Sequence, residues 1–530
     1  MLYTVYRLDI ALIKSDSRHR SMVMYNIFQK DMKLRMLIII CLFSIIVNSA
    51  LAQHRGDNLA FQGILDQNES SVKAEAMGGA YTSISGDLES MFWNPAGLIG
   101  IDELKVSLSA NNYNSLWREN QVYRPNRQFV SMSFILDGLY TPDPANNGKL
   151  DYEIFKDDST YFVAEPTLGQ DLYGEKAADW QLKKSGFSFN NASAAYPINV
   201  FDQQFVVAAA YGSQSRVTDY DRNQTYLDPH PGTDEYGGHI DRITSPGDSV
   251  RINWSDFQRM RDVEMQNINF ALGYQLNANL MFGAGMRIMN SESDDTQNLS
   301  RIGYFDLLDG PNSFRFSYDT LDISTNGVSE FSATSFNFGA ILQLEHLSLG
   351  VNITSPYTIT RKWNNNTTTA TVTGDVLEKT SGEDEMKIPL SYAIGVSIMP
   401  VESFRIAVDI KQKNYGDTEF VYSQADSTNR SWVDQTVMSF GFNYSPFDFL
   451  SILAGYRHQT EIFVPDGGAT RDEGPDINSW SFGLSYKADF GTFDVAYITT
   501  SMKYYDAYFS NTNYVTQNFD RLLVGYTIGI

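Results

Sequence analysis

Residues 76–98 read AMGGAYTSISGDLESMFWNPAGL, and they stand between a cleavable export signal and a long region, residues 104–530, that carries alternating β pattern. Gly78-Gly79-Ala80 supplies backbone without bulk, which suits a segment that packs tightly or turns sharply. Asp87 is placed to cap a short helix over Leu88 to Phe92. Asn94-Pro95 forces a turn and Gly97 permits another. Each feature alone is ordinary loop punctuation. Together, in one short stretch ahead of a β region, they read as a compact plug followed by a barrel.

Upstream, Lys33 and Arg35 precede a run from Met36 to Val47 without charge, and Ser49-Ala50-Leu51-Ala52 comes before Gln53. A basic region, a short apolar core and an Ala-x-Ala site make a signal peptide. The core is shorter than the roughly 20 apolar residues of a spanning helix, so cleavage is favoured over anchoring. Residues Met1 to Asp31 break the usual order, which places the natural start at Met32. The expected organisation is a removed leader with upstream extension (1–52), a plug (53–103) and a barrel (104–530).

Downstream, one face of each strand-like run is apolar. Ile268, Phe270, Leu272, Tyr274 and Leu276 alternate with Asn267, Asn269, Ala271, Gly273 and Gln275, and Phe404, Ile406, Val408 and Ile410 alternate with Arg405, Ala407, Asp409 and Lys411. The runs around Phe440 and Phe482 repeat this, and the chain closes on Leu522, Val524, Tyr526, Ile528 and Ile530. Period-two alternation means sheet with two chemically distinct faces. A Lys or Arg facing lipid at mid-membrane costs roughly 2–4 kcal/mol, whereas a wet lumen tolerates it. Arg287, Arg405, Asp409 and Asp494 all fall opposite the bulky apolar register. The expected fold is therefore all-β, a transmembrane antiparallel β-barrel with lipid outside and polar groups within. Tyr274, Tyr444, Tyr456 and Tyr486 at strand ends are candidates for interfacial girdles.

Connections alternate in length. Short ones fall near 197–203, 277–278, 345–346, 400–403, 446–449 and 488–491; long ones run about 217–266, 291–332, 355–389, 412–435, 458–478 and 502–517. Short periplasmic turns with long outer loops are the membrane-barrel arrangement. Thirteen strands are countable from Gly186 to Ile530. Even closure then requires an odd number within Leu104 to Ser185, where Leu104 to Tyr113 and Gln128 to Leu136 are candidates. One gives 14 strands, the favoured count, and three give 16.

Composition narrows the function. The leader removes 7 basic and 3 acidic residues, leaving 33 basic against 60 acidic, a net charge of −27. Such acidity argues against nucleic acid and other polyanions. The only cysteine, Cys41, lies in the leader, so neither disulfide nor Cys-based metal site is expected. His54, His230, His239, His346 and His458 are widely spaced and without partner motifs, so no enzyme, metal or cofactor is expected.

The segment resembles the N-terminal hatch of the FadL/TodX family of outer-membrane transporters for long-chain fatty acids and other hydrophobic compounds. Phe61-Gln62, the Gly-Gly-Ala stretch, Asp87 and Asn94-Pro95-Ala96 occur in that family's order, and Val106 to Tyr113 is similar to its first strand. The resemblance implies a 14-stranded barrel with the hatch inside the lumen, and Gly78, Gly79, Asp87, Asn94, Pro95 and Ala96 as gating positions. It also implies a lateral exit beside an inward kink in the third strand. If that strand is Gln204 to Arg216, Ala209, Ala210 and Gly212 within it are small enough to permit the bend, although small residues in strands also simply mark tight packing. The segment 137–185 and several outer loops are longer and more acidic than a lean channel needs.

The leading expectation is passive uptake of hydrophobic small molecules across a Gram-negative outer membrane by a monomeric multi-pass barrel, surrounded by lipid and lipopolysaccharide. The alternative is a surface platform for secreted proteins, as in relatives that act in type IX secretion. Arg287 and Arg405 are the candidates for contact with a ligand headgroup, and pairing with Asp409 or Asp494 to neutralise the lumen is the plainer role for them.

Overall fold

The computed structural model describes residues 61, 71–123, 142–143, 149–150, 171–201, 203–231, 249–308, 314–371, 373–423, 432–463, 474–507 and 511–530. Fourteen antiparallel staves close on themselves. They are β1 (Lys105–Tyr123), β2 (Trp180–Val200), β3 (Gln203–Pro231), β4 (Ser249–Gln275), β5 (Leu280–Leu308), β6 (Phe314–Gln343) and β7 (Leu347–Thr354). They continue as β8 (Ser391–Val401), β9 (Phe404–Lys413), β10 (Gln435–Phe447), β11 (Leu450–Thr460), β12 (Asp476–Ala488), β13 (Gly491–Ala507) and β14 (Asn511–Gly529). β1 pairs with β14 from Lys105↔Gly529 to Tyr123↔Asn511, so no stave is left at an edge along that join. Gln128–Leu136, the other candidate stave, lies outside the described residues, and the count of 14 is complete without it.

The outward face is greasy where lipid would meet it. Phe270, Phe282, Phe338, Val351, Ile394, Ile410, Phe442, Ile452, Phe482, Val495 and Val524, from eleven different staves, are each 40–57% exposed. Leaving such side chains in water would forgo about 1–2 kcal/mol apiece, so the belt belongs in hydrocarbon. At the end with short turns, Phe447 stacks on Phe449 at 5.3 Å and Tyr526 donates to the Phe490 carbonyl at 2.6 Å. Tyr444 and Tyr486 lie near this end, while Tyr456, against Trp480 at 4.7 Å, marks the opposite border of the belt. Among the described residues no helix is long and apolar enough to cross a membrane. Backbone groups in lipid need internal partners, which a closed barrel provides.

Two expectations change. β2 begins at Trp180 rather than Gly186. Much of the expected long loops is strand: β3 and β4 stay paired out to Pro231↔Val250, and β4 and β5 to Ser249↔Leu308. Above β7 and β8, Tyr357–Ala370 and Val376–Ile388 pair with each other and extend the wall, joined on one side by β6 and on the other by Glu419–Val421. These outer strands are hydrated on one face and on the other mix apolar groups such as Ile359 and Met386 with polar ones such as Arg261, Asp295 and Arg361. They therefore lack the apolar alternation by which strands are read from sequence.

Among the described residues the ladder between two neighbouring staves breaks off between β2 and β3. β2 and β3 pair only from Val200↔Gln203 up to Asn191↔Gly212. Beyond that, β2 keeps only β1 and β3 keeps only β4, with an irregularity at Ser213/Ser215. The two free edges form a seam. Trp180 meets Tyr220 edge-on at 4.9 Å, and Trp117 meets the same ring at 6.3 Å. Across it, Lys184 Nζ of β2 reaches Asp262 Oδ2 of β4 at 3.0 Å, and Gln121 of β1 donates to the Arg222 carbonyl of β3 at 2.7 Å.

Candidate functional site

The segment before β1 folds inside the barrel. Helix α1 (Val72–Ala76) and two 3₁₀ turns, Leu88–Phe92 and Pro95–Leu98, carry it across the lumen. Asp87 Oδ1 accepts from the Glu89 amide at 2.8 Å and so caps the first turn, as its sequence position suggests. Asn94 Oδ1 accepts from the Ala96 amide at 3.1 Å, and Pro95 follows where its missing N–H is not needed.

Asn94 is fully buried and does more than cap. Its Nδ2 donates to the Thr82 carbonyl at 2.7 Å and lies 3.3 Å from the carbonyls of Ala340 on β6 and Val351 on β7. It therefore ties the hatch to itself and to the wall through one amide.

The wall meets the hatch through glycines. A Cβ at Gly339 would fall on Asn94 Oδ1, at Gly283 on the Pro95–Ala96 backbone, at Gly350 on Thr82 and at Gly455 on the Met77–Gly78 backbone. Gly441 would meet the Met77 carbonyl at 2.7 Å, and Gly273, Gly395, Gly483 and Gly525 also face hatch atoms. Nine staves thus present a glycine at the level of the hatch, so backbone lies against backbone. A glycine inside a strand is the residue that allows such approach. Gly78 has φ +66° and Gly79 φ +84°, with Tyr456 backbone and the Trp93 ring close against them, so neither position takes a side chain without strain.

Charge completes the seat. Glu75, buried at 2% exposure, is held by Arg521 of β14, with Arg457 of β11 at 3.4 Å. Glu89 accepts from the amides of Val72, Lys73 and Ala74 at 2.8, 2.9 and 3.1 Å and closes the N-terminus of α1. Lys73 Nζ pairs with Asp87 Oδ2 at 2.7 Å. Burial works against the Lys73 ammonium, yet the carboxylates of Asp87, Asp494 and Glu89 outweigh it and hold its pKa well above the usual lysine value. Burial, reinforced by the Asp87 charge, pushes Glu89 up to about 8.

The four lumenal charges read from sequence do face inward, with roles other than mutual pairing. Asp409 Oδ2 accepts from the hatch amides of Tyr81 and Thr82 at 2.8 and 2.7 Å. Asp494 is buried beside Lys73. Arg405 reaches the Met399 sulfur at 3.1 Å and Arg287 the Asn269 side-chain oxygen at 3.2 Å. Hatch docking thus takes the carboxylates that the sequence reading assigned to neutralising arginines. In β3, Ala210 is buried and Ala209 faces outward. Gly212 sits where its ladder to β2 ends, with a Cβ there falling on the Asn190 carbonyl.

Above the hatch the lumen holds two further features. A cavity of about 50 Å³ lies against Trp93 and Gly79, lined also by Asp409, Lys411, Lys413 and Arg457. Farther out, Val263, Met265, Met289, Phe331, Ile359, Met386, Ile388 and Tyr415 form a packed apolar cluster with Phe61 from the chain's N-terminal side, a chamber closed by that side chain and not an open cavity. The Phe61 ring stands 6.0 Å from Phe420 and 6.4 Å from both Phe331 and Tyr422. The chamber is bordered by buried ion pairs: Arg261 binds both oxygens of Asp295 at 2.8 and 2.6 Å, and Arg361 binds Asp384 at 3.0 Å. Sequence reading missed the chamber because its residues come from five separate strands and a single upstream phenylalanine. Among the described residues there is no His, Cys, Asp and Glu group able to hold a metal ion.

No family model and no curated protein matches the chain. Solved structures do. A Pseudomonas aeruginosa FadL homologue aligns at TM-score 0.57 and 14% identity over 88% of this chain and 99% of that one. The Pseudomonas putida toluene transporter TodX aligns at 0.55 and 12%, over 88% and 99%. The chain has the fold of FadL and TodX. It is a β-barrel of the Gram-negative outer-membrane kind, and its neighbours are channels and transporters rather than enzymes. At this identity the FadL-like likeness speaks for architecture, and the chemistry must come from the residues themselves.

Proposed function

We propose that this protein is a passive outer-membrane channel for hydrophobic small molecules, gated by the hatch and releasing its ligand sideways through the wall. The observation that carries this reading is the apolar chamber with Phe61 inside it. A wet lumen has no need of a Met- and aromatic-lined chamber, and methionines adapt to varied apolar guests. Phe61 fills the place such a guest would take. The neighbouring fatty-acid and toluene transporters favour the same class of cargo.

Below the chamber, the glycine-seated hatch blocks the straight path to the periplasm. The seam that opens just beyond Ala209, Ala210 and Gly212 offers the alternative, because past Gly212 the two strand edges are bridged by side chains and not by a ladder. A hydrophobic molecule leaving at the lower end of the seam, where Phe187 and Phe189 of β2 face outward, enters lipid without crossing water. Lys411, Lys413 and Arg457 around the small cavity over the hatch favour cargo with an anionic end over bare hydrocarbon. No energy source is required, since partitioning into lipid drives the movement.

The test is uptake by liposomes or cells of a panel of alkanes, alkylbenzenes and long-chain carboxylates. Faster entry with the protein present supports the proposal, and equal entry with and without it refutes it. Co-purification of secreted proteins in place of lipid-like ligand would favour the surface-platform alternative.

A further inference from the structure

We propose a second, separate binding site on the outside of the barrel, a saccharide-binding patch on the wall that rises above the membrane. β4, β5, β6 and the strand Tyr357–Ala370 lie side by side there and present two cross-strand rows. Asp256, Ser300 and Asp322 are successive partners in one row, and Gln258, Asn298, Ser324 and Thr368 in the next. Their side chains share the parity of Phe270, Phe282 and Phe338, so they point away from the lumen. Together they line a cavity of about 380 Å³.

The chemistry of this lining selects its occupant. Short hydroxyls, amides and carboxylates repeat about 4.8 Å apart across the strands, a spacing on the scale of a sugar ring. Each can donate or accept toward a ring of hydroxyl groups. Ser324 Oγ donates to Asn298 Oδ1 at 2.8 Å, which fixes that amide and leaves its nitrogen as the donor. Among the described residues the lining holds no aromatic side chain of the kind that anchors protein partners. Its apolar part, Ile323 and Ala370, is too small for a lipid tail but suits the C–H face of a sugar ring, and Asp256 and Asp322, with no cation among the lining residues, oppose phosphate. A neutral or aminated saccharide satisfies all three conditions.

Height identifies the source of that saccharide. The last lipid-facing side chain of β4 is Ile268, and Gln258 lies ten residues farther out along the same face. At about 3.3 Å per residue and a tilt of about 40°, that places the patch roughly 25 Å above the lipid belt. The sugar chains of the outer leaflet surround the barrel at this level. The patch thus binds the saccharide of the barrel's own membrane and holds the outer wall within it.

The test uses the full mature barrel in detergent and the saccharide chain cleaved by mild acid from the outer-leaflet glycolipid of the source bacterium. Free glucose and glucosamine oligomers, and Mg²⁺ alone, are run in parallel. Saturable binding of the leaflet saccharide is expected, at least tenfold weaker in Asn298→Ala and in Ser300→Tyr, which fills the cavity. Heat-dependent migration on gels reports that both variants remain folded. Equal binding in the variants would overturn the proposal, as would binding of Mg²⁺ alone, tighter binding of the free oligomers, or no binding at all. Uptake of hydrophobic probes is unchanged in both variants, so this site and the lumenal channel stand or fall separately.

Discussion

The lower lumen and the seam above Gly212 solve opposite problems with the same fourteen strands. In the lower lumen, glycines on nine staves bring wall and hatch into backbone contact, and Asn94, Asp409 and Glu75 each bond across the junction. At the seam, β2 and β3 lose their ladder, and side chains bridge the gap: Trp180 of β2 meets Tyr220 of β3, Gln121 of β1 bonds to β3, and Lys184 of β2 reaches Asp262 of β4. Close-packed interiors tolerate little added volume. Half-exposed ion pairs contribute about 1 kcal/mol or less. The contrast shows where the barrel is rigid and where it can yield.

The largest way to break this contrast is to fill the seat. Gly283→Val would drive side-chain carbons into the Pro95–Ala96 backbone, which has no free rotamer with which to move. The hatch is expected to leave the lumen while the ladder persists. Single-channel recording in planar bilayers should then show a steady ion current that the wild type lacks.

A smaller effect follows from Glu75→Gln. It removes the charge that Arg521 and Arg457 share and leaves two buried guanidiniums uncompensated, at a cost of about 3–5 kcal/mol. Hydrogen exchange should rise in α1 and hardly change in the staves. Equal exchange in both would show that the arginines do not hold the hatch.

The smallest effect is a pH slope. Glu89 sits up at about 8 in the folded hatch, above its usual carboxylate value, so the docked state binds more protons than the released one between those limits. Docking therefore weakens as pH rises from about 5 to 8 and is strongest below that window. Protease protection of the hatch, measured across this range, should fall with pH in the wild type and stay flat in Glu89→Gln.

Much of this was legible before any coordinates. The alternation of Phe404, Ile406, Val408 and Ile410 against Arg405 and Asp409 states which face is wet, and the short turns give the strand count. Asp87 and Asn94 cap the turns their spacing implies. The outer halves of β3 to β6 were read as loop because neither face is uniformly apolar there. The glycine girdle was present in plain view as a glycine mid-strand in run after run, such as Phe270-Ala271-Leu272-Gly273 and Phe282-Gly283-Ala284. A lone glycine in a strand carries no partner in its sequence, so its meaning appears only when a second backbone lies on it. Glu75 and Phe61 were equally silent, since their partners are hundreds of residues away.

The seam provides the most direct test of the channel account. Cys41 is the one cysteine of the sequence and stands ahead of the barrel, so Lys184→Cys and Asp262→Cys together would supply the only thiols of the barrel strands. A short bis-maleimide joining them would tie β2 to β4 across the free edge of β3, where Lys184 and Asp262 now meet at 3.0 Å. Uptake of a fluorescent long-chain carboxylate should fall to the background of empty liposomes after cross-linking and be normal in the untreated double variant. Undiminished uptake through the fastened seam would contradict lateral release.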